Sequence, residues 1–273
     1  MVRAPMQMRS WLLRFFRVAI IAVAAFVAFR MLEPEGLGWV VLVVAGVAAL
    51  AWIGWRMMRV KKLRKEDADA DRWAEALMDP PLRPSAIREL RAAITEIDPS
   101  HRKHAPRHAR LTLVLAELLE ADGEPSEALE ALRAVKDDAL PERSATMVRH
   151  ARAVASLSAG DVEAASAMLD ELGGPSGDRA LDLRIRALRG LVLAEKGDGA
   201  RALELAEELR VEAGSDPELR IEARVLKAVA LDVLGEREDA IKVMRALGEE
   251  MLGVLLVLGL PRVKKLADLA LDD

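Results

Sequence analysis

The chain has 273 residues and no cysteine, which excludes disulfide staples and thiolate chemistry. Its formal net charge of −4 hides a split: residues 1–65 carry 11 basic and 2 acidic side chains, net +9, and the remainder carries 29 and 42, net −13. An acidic bulk lacks the positive footprint of a nucleic-acid binder and is repelled by anionic lipid, so only the basic stretch is suited to headgroups.

The first apolar segment runs over residues 11–32. Arg14 and Arg17 interrupt its start and Arg30 its end, leaving 18–29 as an uninterrupted core. Twelve apolar residues are too few to span, but the full segment suffices when the arginines snorkel towards the interfaces; the other readings are an interfacial helix and a cleaved signal peptide. A second segment follows at once, which weighs against cleavage. Residues 37–55 hold nineteen positions without a charge, roughly 28 Å of helix and about one hydrocarbon core. Arg56, Arg59, Lys61, Lys62, Arg64 and Lys65 close it. Basic residues flank both outer ends, whereas the turn between the spans has Glu33 and Glu35, so the positive-inside rule predicts two passes with both termini cytoplasmic. Trp39, Trp52 and Trp55 fit interfacial belts, and Ala24/Ala28 and Ala45/Ala49 allow close packing of the hairpin. With the Arg- and Ala-heavy composition, this points to a bacterial inner membrane and a lipid-contacting anchor over 1–65.

Residues 66–104 read as a degenerate helical pair and a basic connector. Arg72 to Leu77 and Pro84 to Leu90 are its two helical stretches, with Ala86 and Leu90 at positions that recur later. From 105 to 250 the chain repeats itself. Glycine followed by an acid recurs as Gly123-Glu124, Gly160-Asp161, Gly197-Asp198 and Gly235-Glu236, at separations of 37, 37 and 38 residues. Five positions after each glycine stands Ala128, Ala165, Ala202 or Ala240. Glycine can take the left-handed conformation that stops a helix, an acid complements the dipole of the next helix, and alanine permits a close crossing. Leu132, Leu169 and Met244 fill the following turn. The turns at 173–177 and 214–217 absorb extra length, and no run of alternating β-branched residues signals a sheet.

The glycine-x4-alanine step, with Ala116, Ala153, Gly190 and Ala228 seven positions before the glycines, resembles the tetratricopeptide repeat family. The resemblance covers about 105–250 in four units. It departs from the family in a longer period and in the loss of the first-helix aromatic, whose place is taken by Leu119, Ser156, Leu193 and Leu231. It implies an all-α fold: a transmembrane hairpin followed by an α-solenoid whose first helices line a groove for a peptide or partner helix. On that alignment the groove presents Leu113, Val114, Val154, Leu157, Leu188, Leu191, Val225 and Val229, with Arg110, His150 and Arg184 as positive groups. The family's chaperone-type clamp needs asparagine, and the chain contains none.

The last segment, 251–273, begins with ten almost wholly apolar residues ended by Pro261, too short to span a membrane. A helix apolar all round is expected to be deeply buried, as a closing cap, in the repeat groove or in a partner, with membrane contact as a further reading; residues 262–271 return to an amphipathic pattern.

Little of the sequence points to reaction chemistry. Three of the four histidines, His101, His104 and His108, sit in a basic cluster that repels a cation, and Pro106 is expected to interrupt helix between the last two. The glycines at 173–177 lack the strand and Gly-Lys-Ser/Thr of a phosphate loop. Acids are scattered along solvated faces in ordinary i,i+3 and i,i+4 pairs. No catalytic, cofactor or metal residue is assigned. The expected function is a membrane-anchored scaffold for unidentified protein partners. A ligand-responsive or self-inhibited sensor using the same groove is the alternative, and an enzyme would require a convergent polar cluster in that groove.

Overall fold

The computed structural model describes residues 72–73, 75–99, 104–173 and 176–272. Asp71–Asp273 forms one compact unit, the second of two along the chain. The predicted spans 11–32 and 37–55, the basic stretch 56–65 and His101 all lie outside the described residues. No helix among the described residues is long and apolar enough to cross a membrane.

Four glycines set the period of the second unit. Gly123, Gly160, Gly197 and Gly235 have φ of +87°, +83°, +87° and +85°, the left-handed region that L side chains avoid. After each, the amide of the next residue bonds a carbonyl five positions back: Glu124 to Leu119 (2.8 Å), and Asp161 to Ser156, Asp198 to Leu193 and Glu236 to Leu231 (each 2.9 Å). That closes a Schellman stop and launches the following helix. Asp161 and Asp198 also cap it, accepting from the amides of Ala164 (3.0 Å) and Arg201 (3.2 Å). Glu124 and Glu236 make no such side-chain bond. We expect Gly197→Ala to cost about 1 kcal/mol, read as a lower urea midpoint with unchanged helix content.

The resulting helices are α1 (Arg83–Thr95), α2 (Ala105–Ala121), α3 (Pro125–Arg133), α4 (Glu142–Ser158), α5 (Val162–Asp170), α6 (Arg179–Glu195), α7 (Gly199–Ala213), α8 (Pro217–Val233), α9 (Arg237–Arg245), α10 (Glu249–Leu258) and α11 (Pro261–Leu271). All regular structure among the described residues is helical. Within each pair the two helices pack together, each second helix packs on the next first helix, and the first helices α2, α4, α6 and α8 touch in series. This is the neighbour-to-neighbour packing of a helical repeat.

The crossings need small residues. Ala128, Ala165, Ala202 and Ala240 are each 0% exposed. Ala116, Ala153 and Ala228 are buried as well, and at Gly190 a Cβ would lie 2.4 Å from Leu226 Cδ2. Where the family places an aromatic, Leu119 and Leu231 are buried and Leu193 is half-buried. Ser156 is buried too, its hydroxyl donating to Met168 Sδ at 3.6 Å.

Two expectations are corrected. Pro106 does not interrupt a helix: α2 starts at Ala105, and proline sits in the first turn, where its missing N–H has no intrahelical role. The apolar segment forms α10 but is not buried all round. Leu252 is 2% exposed, whereas Met251 and residues 253–257 are half-buried. The helix lies against α2, three repeats back along the chain, and against α11.

Candidate functional site

Three of the four first helices, α2, α6 and α8, carry an acid near their ends, whereas α4 ends in Ser156-Leu157-Ser158. Glu120 lies three residues before Gly123, Glu195 two before Gly197 and Asp232 three before Gly235. A helix C-terminus already carries partial negative charge, so these carboxylates make the ends of α2, α6 and α8 a favourable place for a cation. The chain supplies that cation itself. Arg262, in the first turn of α11, donates from Nε to Glu195 Oε1 (2.9 Å) and from Nη2 to Oε2 (3.3 Å), while its Nη1 donates to Asp232 Oδ2 (2.9 Å). One guanidinium therefore bridges α6 and α8 with a bidentate fork on one side.

Apolar contacts surround that bridge. Leu255, Leu256 and Leu260 pack against the cluster that contains Leu226, Val229 and Met244, and Leu260 also reaches the cluster of Leu157, Leu188 and Val192. Beside it a cleft of about 410 Å³ remains, lined by Leu157, Gly160, Val162, Leu260, Arg262 and Lys265 among others.

Burial also shapes the titration of several groups elsewhere on the repeat helices. Glu120 is pushed up to about 7 by burial; the Ser158 hydroxyl (3.4 Å) and Lys264 oppose the shift, and Glu117 adds to it. Burial also raises Glu117 and Glu222. Lys264 is lowered by burial and by Arg83, with Glu120 acting the other way. His150 is pushed down to about 4, by burial first and then by the Arg184 guanidinium.

These shifts predict opposed pH slopes. Between about 4.5 and 7 the folded chain holds a proton on Glu120 that the unfolded chain has lost, so this group adds stability as pH falls from 7 to 4.5. Between 6.5 and about 4 the unfolded chain protonates His150 and the folded chain does not, so stability is lost as pH falls through that window. The two variants separate these contributions when each is compared with wild type from pH 6.5 to 5. As pH falls over that interval, the urea midpoint of His150→Gln should rise relative to wild type, and that of Glu120→Gln should fall.

The residues expected to line a groove divide by burial. Leu157, Leu188, Val225 and Val229 are buried within the helical core, although Leu157 also borders the cleft. Leu113, Val114, Val154 and Leu191 are half-buried, and Arg110 is exposed. Arg184 is ion-paired to Glu218 (2.5 Å) and Glu222 (3.2 Å), with His150 half-buried beside it. Glu120, Glu195, Asp232 and Arg262 were not anticipated. An acid precedes three of the four repeat glycines, but Arg262, the partner of Glu195 and Asp232, lies 67 and 30 residues from them and carries no matching pattern.

No group of three or more His, Asp or Glu side chains among the described residues is placed to hold a metal ion. Comparison of the chain with models of protein families, with curated proteins and with solved structures found no match.

Proposed function

We propose that the chain is a membrane-anchored adaptor, with a tetratricopeptide-like repeat domain held at the cytoplasmic face of a bacterial inner membrane by the hairpin at 11–55. The observation that carries the protein-binding part is the seat formed by the ends of α6 and α8. It already holds a short polypeptide segment through one fork-shaped ion pair and a flanking leucine. Surfaces of stacked helices that accept one segment in this way are suited to accept another. The anchor argument rests on the uncharged nineteen residues at 37–55 and the basic residues behind them. Tethering would confine partners to a thin layer and raise their effective concentration.

The self-held segment also favours the second reading, in which the tail restrains the repeat surface until a signal arrives. Proximity labelling from the C-terminus in intact cells tests the adaptor reading. A reproducible set of cytoplasmic proteins is expected; labelling of the opposite side of the membrane, or of lipid-associated background alone, would contradict it.

A further inference from the structure

Resting on the protein-binding reading, we propose that the seat at the ends of α6 and α8 recognises a partner protein's helix start that carries an apolar residue two positions before an arginine, and that Leu260 to Arg262 of this chain hold the seat until such a segment displaces them.

Three features separate this arrangement from a simple closing cap. At the seat itself the contact is polar, although Val263, Leu266 and Ala267 further along α11 are buried: Arg262, Glu195 and Asp232 keep side-chain exposures of 34%, 26% and 20%, so these pairs are reachable by water and can exchange. The fit is incomplete, because the cleft of about 410 Å³ lies directly beside Leu260 and Arg262. A Cβ added at Gly253 would meet nothing within 4 Å, so α10 has free space along it as well. Finally, α10 leaves apolar side chains half-exposed, among them Leu255, Leu256 and Val257, which a purely structural closing helix would bury.

The chemistry of the partner follows from the seat. Two carboxylates on adjacent helix ends call for a planar, five-donor cation, which is arginine rather than lysine. Leucine two residues earlier fits the apolar wall formed by Leu157 and Val162. Proline between them pre-sets the first turn of a helix, as Pro261 does in α11. A second copy of the chain would bring the same segment at a lower effective concentration than the tethered one. Only a better-fitting heterologous segment therefore wins the seat.

The test uses the full-length protein in detergent or nanodiscs and a labelled peptide carrying residues 256–272, followed by fluorescence anisotropy. Wild type should bind the peptide weakly, because its own tail competes. Arg262→Glu should bind at least ten-fold more tightly, and the same peptide with glutamate at position 262 should not bind. Adding Glu195→Lys and Asp232→Lys to Arg262→Glu should restore the closed form and exclude the peptide. A folded Arg262→Glu protein that binds no more tightly than wild type overturns the proposal. So does a wild-type dimer that Arg262→Glu dissolves, which would assign the seat to a second copy. Should Arg262→Glu fail to fold, hydrogen exchange on wild type decides. Amides of 250–265 should open well before those of α8, and exchange only together with α8 would make the tail a structural cap. A negative peptide result beside a positive set of labelled neighbours would remove this seat while leaving the adaptor reading in place.

Discussion

Leu226→Ala is expected to lower the unfolding free energy by about 3 kcal/mol. Leu226 is 0% exposed, in the middle of α8, and belongs to the cluster that joins α6, α7, α8, α9, α10 and α11. Removing its isopropyl end leaves a void that close-packed helices collapse only in part. The site also offers an internal check, because Gly190 lies opposite. An alanine there would place its Cβ 2.4 Å from Leu226 Cδ2 and 3.2 Å from Leu205 Cδ2, so Gly190→Ala alone should cost about 1–2 kcal/mol through overpacking. In the double variant the new methyl enters the space the leucine vacates. The combined loss should fall short of the sum by about 1 kcal/mol, measured in a double-mutant cycle of urea denaturation. Strict additivity would mean that the two helices are not packed at this crossing.

Arg152→Met should cost about 2 kcal/mol for a different reason. The guanidinium reaches from α4 to the end of α3, donating to Leu132 O from Nε (3.1 Å) and Nη2 (3.0 Å), to Val135 O (2.7 Å) and to Asp137 Oδ2 (3.1 Å). Methionine keeps much of the apolar stem but leaves two carbonyls without these donors, and leaves Asp137 to Arg149. Arg152→Lys should recover part of the loss, because an ammonium keeps the charge without the fork. The measurement is again a urea midpoint, with the circular dichroism of the folded baseline unchanged.

The same tie recurs one period later, where Arg189 Nη2 donates to Leu169 O at 2.8 Å. Both arginines stand eight residues before a repeat glycine, and both accepting leucines nine residues after the preceding one. In the last repeat the position is Lys227, which pairs instead with Glu207 at 2.6 Å. This is a case of a device that was legible in the sequence but unread: its period is that of the glycines, and its chemistry joins neighbouring helices.

What was readable in advance was whatever a single turn decides. Gly123, Gly160, Gly197 and Gly235 take left-handed backbone and Ala128, Ala165, Ala202 and Ala240 are fully buried, features that local spacing marks. Pro106 misled because the rule for helix interiors was applied to a first turn. The groove positions were assigned by analogy with a face, and Leu188, Val225 and Val229 turned out to be core because neighbouring helices and the returning tail cover them. The site around Arg262 was illegible for a stronger reason. It joins residues 30 and 67 positions apart, and nothing periodic marks where a chain end folds back.

The absence of cysteine makes that fold-back open to direct measurement. Glu163 is 84% exposed next to Val162, which lines the cleft, and Lys265 lines the same cleft from α11. Spin labels on Glu163→Cys and Lys265→Cys in the full-length, membrane-reconstituted protein report whether the tail sits on the repeat ends. A single narrow distribution at short distance is the predicted result. A broad distribution extending to long distance would contradict the account.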